Sequence, residues 1–136
     1  MPVGLVTKKL GVREKQLSPA QFLRLSAAEF AAVSPGHVFR REMESYLAKH
    51  SIQKSVVVES NVFASVTRSI IDGVCIGFVP LPYIYRELID RRLVVVGPRK
   101  LWDHVLYLYT RTGGSAVDLK NRLDAVLAIF IWACRG

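Results

Sequence analysis

The chain has 136 residues and a net charge of +8; 51% of its residues are hydrophobic and 22% are charged. This length is typical of a single domain, and the hydrophobic share excludes intrinsic disorder, which requires low hydrophobicity and high charge. Two cysteines are too few for the disulfide framework of a small secreted domain, so we expect both thiols to be buried and reduced.

The N-terminal part predicts two short strands with a helix between them. Residues 3–7 are β-prone and are followed by a basic loop over residues 8–16. Ser18, with Pro19 at the first helical position and Gln21 three residues after the cap, is typical of a capped helix start. Residues 30–34 then predict a short buried strand.

A longer helix is predicted directly after the Pro35-Gly36 pair. Apolar residues recur there at spacings of three and four, which predicts one buried face and one solvent-facing side. The predicted buried face consists of Phe39, Met43, Tyr46, Leu47 and His50. The predicted solvent side consists of Arg40, Arg41, Glu42, Glu44 and Lys49.

The same alternation continues in the second half. Residues 55–59 are β-branched and predict a buried strand, after which Ser60 and Asn61 are typical helix caps. Gly73 predicts the end of that helix, because glycine tolerates the left-handed conformation. The remaining predictions are a strand over 74–79, a short helix over 83–92, strands over 93–96 and 104–110, and a helix over 115–134.

Strands that alternate with helices and are apolar on both faces predict an α/β fold with a largely parallel sheet and helices on both faces. The sequence has no phosphate-binding glycine loop, no nucleophile elbow and no histidines at metal-ligand spacing. Asp103 and His104 are neighbours in a predicted strand and would point to opposite faces. We therefore predict no enzyme, no cofactor and no metal, and interpret His104 as a strand-end residue.

The longest apolar run, residues 125–134, is too short to span a bilayer, and the N-terminus lacks the order of a signal peptide. We therefore expect a cytoplasmic protein without membrane contact. The basic residues do not form a stripe along one element, which favours a solvated surface over a DNA-reading face. They fall in loops and at helix ends: Lys8, Lys9, Arg13, Lys15, Arg91, Arg92, Arg99 and Lys100.

Two helix starts follow directly on predicted strands and are candidate ligand sites. Ser34, Gly36 and His37 form one start, and Ser60 and Asn61 form the other. In open α/β sheets ligands bind beyond the carboxyl ends of the strands, where unpaired N–H groups and the helix dipole favour an anion. Plain helix capping requires the same residue types, so both interpretations stay open.

The order of these segments resembles the effector-binding domain of LysR-type transcriptional regulators over about residues 17–110. The stretch from Gly73 to Pro80 is similar to that family's Gly-x-Gly-Ile-x-x-x-Pro strand, with Cys75 in place of the second glycine. Residues 17–22 resemble the branch that senses aromatic compounds. The other matching segments are 22–25, 30–36, 47–52, 56–61 and 88–93.

The resemblance implies a two-lobed fold of the type 2 periplasmic-binding-protein class, with a small-molecule cleft between the lobes. Residues 17–94 would form the second lobe and 95–136 the return into an incomplete first lobe, as in a truncated regulator without a DNA-binding domain. Phe78 and Pro80 would shape the pocket wall. The implied ligand is a small organic effector, a carboxylate or aromatic acid, and DNA would be bound only through a separate domain.

The resemblance also implies self-association. Residues 94–96 and 105–109, together with Val126, Phe130 and Ile131, would lack their partner in the first lobe, so we expect a homodimer or higher oligomer that covers this apolar surface. Two alternatives stay open: a fragment that only makes protein interactions, and an enzyme on the same two-lobed fold.

Overall fold

A computed structural model describes residues 1–105 of the chain. These residues form a six-stranded sheet with four α-helices, and short 3-10 turns cover Glu14–Gln16 and Leu81–Ile84. The strands are β1 (Pro2–Thr7), β2 (Glu29–Val33), β3 (Val56–Ser60), β4 (Cys75–Pro80), β5 (Val94–Val96) and β6 (Trp102–Asp103). The helices are α1 (Pro19–Leu25), α2 (Val38–Lys49), α3 (Phe63–Ile71) and α4 (Tyr85–Ile89).

The predicted α/β class is confirmed, and the strand order is β3-β2-β4-β1-β5, with β6 also paired to β1. Strand β2 pairs in parallel with both β3 and β4. Helix α2 connects β2 to β3, and α3 connects β3 to β4. In contrast, β1 is antiparallel to β4, β5 and β6. All residues of β1 and β4 are buried, because these strands lie in the middle of the sheet.

The segment over 55–59 is a strand, as predicted, but the prediction that it is buried is wrong. In β3 half-buried and exposed residues alternate, with Val57 49% exposed. Within residues 1–105 the strand lies at the edge of the sheet and pairs with β2 alone. Branched side chains favour a strand at any position in a sheet, so they could not distinguish an edge strand from a central one.

Helix boundaries follow the local signals at α1 and at the end of α3. The helix predicted over 83–92 is shorter: α4 covers Tyr85–Ile89 after a 3-10 turn over Leu81–Ile84, and Arg91 has a φ of +57°, which helix geometry does not allow. Ser18 and Gln21 form the predicted capping box at α1, and α3 ends before Gly73, whose φ is +78°. The N-cap of α3 is Val62 instead of Ser60 or Asn61. Ser60 still serves this turn, because its Oγ accepts a hydrogen bond from the Val62 N–H at 3.2 Å.

Of the predicted buried face of α2, Phe39, Met43 and Leu47 lie in the core, whereas Tyr46 and His50 are half-buried. The assignment of Arg40 to the solvent side is wrong, since this residue is 8% exposed. Its guanidinium is buried because it bonds to the ends of β2 and β3, as described below. Two other residues of that side, Arg41 and Glu44, are exposed as predicted.

At the C-terminal end of the described region, β6 covers Trp102–Asp103, whereas His104 and Val105 lie after it. The remainder of the predicted strand 104–110, the predicted helix 115–134 and the apolar residues Val126, Phe130 and Ile131 lie outside the described residues. Within the predicted apolar surface, Val96 is fully buried in the core.

Cys75 is buried as predicted, and all eight basic residues named above are exposed. Over residues 1–105 no helix is long and apolar enough to cross a membrane.

Candidate functional site

The two predicted helix starts lie side by side at one edge of the sheet. Ser34 directly follows β2 and Ser60 ends β3, and the Ser34 N–H donates to the Ser60 carbonyl oxygen at 3.0 Å. The parallel pairing of β2 and β3 produces this proximity, since the carboxyl ends of parallel strands lie at the same edge. The N-termini of α2 and α3 therefore start from neighbouring points.

The first start is built around His37, the N-cap of α2. Its backbone N–H donates to the Ser34 carbonyl oxygen at 3.0 Å, and its Nδ1 accepts from the Phe39 N–H at 3.3 Å. Because Nδ1 is an acceptor, the proton of the neutral ring lies on Nε2. Gly36 is exposed, and no atom lies within 4 Å of the position a Cβ would take.

Aromatic rings join the two starts. The rings of His37 and Phe63 are 5.6 Å apart, and Phe63, the first residue of α3, also contacts Phe39 at 4.9 Å. Asn61 is exposed beside Ser60. The predicted residues Ser34, Gly36, His37, Ser60 and Asn61 are thus brought to one region of the surface.

An open hollow of about 390 Å³ lies beside the start of α2. It is lined by Gly36, His37, Val38, His104 and Val105. Sequence reasoning did not place His104 here, because 67 residues separate it from His37 and no local pattern connects them. The hollow is the candidate ligand site of the described region.

His104 is held in place by α2. Its Nδ1 lies 2.8 Å from Glu42 Oε2, and the Trp102 Nε1–H donates to the same oxygen at 3.2 Å. An ionised carboxylate only accepts hydrogen bonds, so His104 Nδ1 carries a proton in this arrangement. The His104 side chain is 11% exposed. Glu42, assigned to the solvent side from the sequence, is half-buried because of these contacts.

Phe78 and Pro80 lie in the core and not among the residues that line the hollow. Phe78 is 1% exposed and contacts Phe30, Tyr46 and Trp102 with ring distances of 5.2 to 5.5 Å. Pro80 is opposite Val3 in the pairing of β4 with β1. These residues support the sheet behind the site.

Arg40 links the strand ends beneath the two starts. Its Nη1 donates to the Val33 carbonyl oxygen and to Glu59 Oε1, both at 3.0 Å. Its Nε donates to Glu44 Oε1, also at 3.0 Å. The guanidinium is therefore satisfied by three partners although its side chain is only 10% exposed.

Three titratable groups with a shifted pKa lie outside the hollow. Burial raises the pKa of the Tyr46 hydroxyl, and burial followed by the charge of Glu29 raises the pKa of the Cys75 thiol. Burial lowers the pKa of Lys54, whose ammonium donates to the Ser26 carbonyl oxygen at 2.7 Å. Among residues 1–105 there is no cluster of three or more His, Cys, Asp and Glu side chains that could hold a metal ion.

An α/β sheet with neighbouring helix starts at the carboxyl ends of two parallel strands is a feature of open α/β folds in general, and the family match assigns this one to the type 2 periplasmic-binding-like fold. A sequence profile of the LysR substrate binding domain matches residues 12–127. The chain belongs to this family, the effector-binding domains of LysR-type transcriptional regulators. The family resemblance stated from the sequence is confirmed.

Solved structures of the same fold include the apo regulatory domain of HypT from Salmonella typhimurium, with 18% identity and a TM-score of 0.63 over 93% of this chain and 61% of that chain. The full-length HypT structure, described as a hypochlorite-specific LysR-type transcriptional regulator, gives 18% identity and a TM-score of 0.63 over 93% of this chain and 44% of that one. The chain thus spans about half the length of these structures. At such identities the likeness shows the fold. A search of curated proteins finds no match.

Proposed function

We propose that this chain is the ligand-sensing part of a LysR-type transcriptional regulator and binds a small organic anion, a carboxylate or aromatic acid, in the hollow beside His37. The observation that carries the proposal is the hollow of about 390 Å³ at the start of α2, lined by Gly36, His37 and Val38. The hydrogen bond from the Ser34 N–H to the Ser60 carbonyl oxygen at 3.0 Å keeps the end of β3 next to the segment that leads into this helix. The family supports the sensing role, and the geometry supports the position.

An anion is favoured for electrostatic reasons. The helix dipole places partial positive charge at the N-terminal end. At α2 the Phe39 N–H already bonds to His37 Nδ1 and the Arg40 N–H to the His37 carbonyl oxygen, so the attraction for an anion comes from the dipole. Here α2 has 12 residues and α3 has 9, so both carry a developed dipole. The carboxylates around the site already have partners: Glu59 pairs with Arg40, and Glu42 contacts His104 Nδ1 and accepts from the Trp102 Nε1–H.

In the regulator, the effector acts through a population shift. A ligand that binds one arrangement of the two lobes more tightly favours that arrangement and thereby changes the spacing of the DNA-binding domains in a homodimer or higher oligomer. In this proposal the present chain contributes ligand binding and self-association, and DNA is contacted by a separate domain. A fragment that makes only protein interactions is the competing possibility, and ligand binding distinguishes the two.

The test is calorimetric titration with benzoate and with benzylamine, which have similar size and opposite charge. We expect benzoate to bind and benzylamine not to bind. Binding of benzylamine alone would contradict the anion assignment. Failure of benzoate and of a panel of small aliphatic carboxylates would favour the interaction-only alternative.

Gly36 allows a matched pair of variants that locates the site. A side chain fits at this open position, so Gly36→Glu and Gly36→Gln differ mainly in charge. At about 5 Å and an effective dielectric of roughly 40, like charges repel by about 1.5 kcal/mol, so G36E should bind benzoate about ten-fold more weakly than G36Q. Equal affinities of the two variants would place the ligand elsewhere.

A further inference from the structure

Arg40 is the residue whose position departs most from what the sequence predicts. It lies in the first turn of α2 with a side chain that is 10% exposed, although the amphipathic pattern assigns it to solvent. Its ion-pair partners are much more accessible, with Glu44 56% and Glu59 44% exposed. The protein therefore buries a cation whose two carboxylate partners remain at the surface.

A buried guanidinium requires hydrogen-bond partners, and Glu44 on the same helix supplies one. The other two partners come from different strands. Nη1 bonds to the carbonyl oxygen of Val33 at the end of β2 and to the carboxylate of Glu59 in β3, both at 3.0 Å. Through Nη1, Arg40 thus links the ends of β2 and β3 to α2, the helix that follows β2.

Both cross-strand partners directly precede the serines of the candidate site. Val33 precedes Ser34, and Glu59 precedes Ser60. The backbone of Arg40 also takes part, since its N–H donates to the His37 carbonyl oxygen at 3.0 Å. Arg40 therefore contacts β2, β3 and the start of α2, the three segments that set where the hydrogen bond between Ser34 and Ser60 lies.

We propose that Arg40 is a positioning residue of the effector site: it fixes the spacing of the β2 and β3 ends and, through them, of the two helix starts. This inference rests on the proposed function for its consequence in binding, whereas the positioning itself is measurable without any ligand. A residue that acted only on global stability would accelerate equally the exchange of amides that open through global unfolding.

The first test measures amide hydrogen exchange in Arg40→Gln and in the control Arg68→Gln, which removes an exposed ion pair with Asp72. The Ser34 amide is compared with the Leu101 amide, which donates to the Val3 carbonyl oxygen at 2.8 Å on β1, two strands from β2. In R40Q we expect exchange at Ser34 to accelerate at least ten-fold more than at Leu101. In R68Q the exchange rates of the Ser34 and Leu101 amides should change by the same factor.

Two further variants keep the test decisive. Arg40→Lys preserves charge and should restore part of the protection at Ser34. If R40Q fails to fold, Glu59→Gln is used instead, because it removes the ion pair with Glu59 and retains Arg40. This variant should still accelerate hydrogen exchange at the Ser34 amide more than at the Leu101 amide. Equal acceleration at Ser34 and Leu101 in every folded variant overturns the proposal.

The second test is the affinity for benzoate. We expect R40Q to bind at least ten-fold more weakly than R68Q, with the affinity partly restored in R40K. If wild-type protein binds benzoate and R40Q binds it equally, the positioning role in the site is overturned and the proposed function stands. If no carboxylate binds wild type but Ser34 exchanges selectively faster in R40Q, the positioning of the strand ends stands and the proposed function fails.

Discussion

Gly77 of β4 cannot carry a side chain without moving the neighbouring strand. A Cβ at this position would lie 2.7 Å from the Ala31 carbonyl oxygen and 3.4 Å from Ile70 Cδ1. The Ile70 methyl can shift slightly, but the Ala31 oxygen belongs to the backbone of β2, which is paired on its other side with β3. The clash therefore cannot be relieved by a change of rotamer.

The expected effect of Gly77→Ala is a loss of about 1–3 kcal/mol in the free energy of unfolding, the range found for overpacked cores. This is a substantial part of the roughly 5–15 kcal/mol that stabilises a typical domain. Gly36→Ala is the matched control, because its Cβ meets no atom within 4 Å. Removing backbone freedom there should leave stability unchanged or raise it by up to about 1 kcal/mol.

Urea unfolding followed by far-UV circular dichroism measures both variants under the same conditions. The G77A midpoint should fall with an unchanged slope, whereas that of G36A should not fall. A loss in G77A of less than about 0.5 kcal/mol would refute the reasoning, because it would mean that β2 and β4 can separate locally at little cost.

Three further predictions concern single contacts. Trp102→Phe removes the N–H donor to Glu42 but keeps an aromatic ring against Phe78, so we expect the free energy of unfolding in urea to fall by about 1 kcal/mol. An unchanged midpoint would mean that this hydrogen bond contributes nothing to stability. Ser18→Ala breaks the capping box of α1 and should cost about 1 kcal/mol, whereas Ser65→Ala at an exposed position within α3 should be close to neutral; equal effects would contradict the role of the cap. Because burial raises the pKa of the Cys75 thiol above its ordinary 9.0, the folded protein retains this proton longer than the unfolded chain, so stability should fall as the pH rises through and above that value. The melting temperature of Cys75→Ala should therefore fall less between about pH 8 and pH 10 than that of wild type, and parallel curves would contradict the assignment.

Local patterns in the sequence predicted most of the elements, because each depends on residues a few positions apart. The capping box at Ser18 and Gln21 and the glycine that ends α3 are signals of this kind. The proximity of Ser34 and Ser60 was also predictable, since strands joined by a helix run parallel and end at the same edge.

The errors arise where a residue's environment is set by a distant segment. Arg40 follows the pattern of a solvent-facing position, and its burial depends on Glu59, nineteen residues away. His104 enters the site through Glu42, sixty-two residues away. The edge position of β3 likewise depends on the order of the whole sheet, which branched side chains do not encode.

Both distant contacts begin on the same turn of α2, and this has a consequence for how the site responds. Arg40 ties the helix to the strand ends that precede Ser34 and Ser60, and Glu42, two residues further on, contacts the His104 ring, which lines the hollow. A shift of α2 relative to the sheet would therefore disturb the links at the strand ends and the contact with His104 together, so the spacing of the two predicted helix starts and the lining of the hollow depend on the same helix.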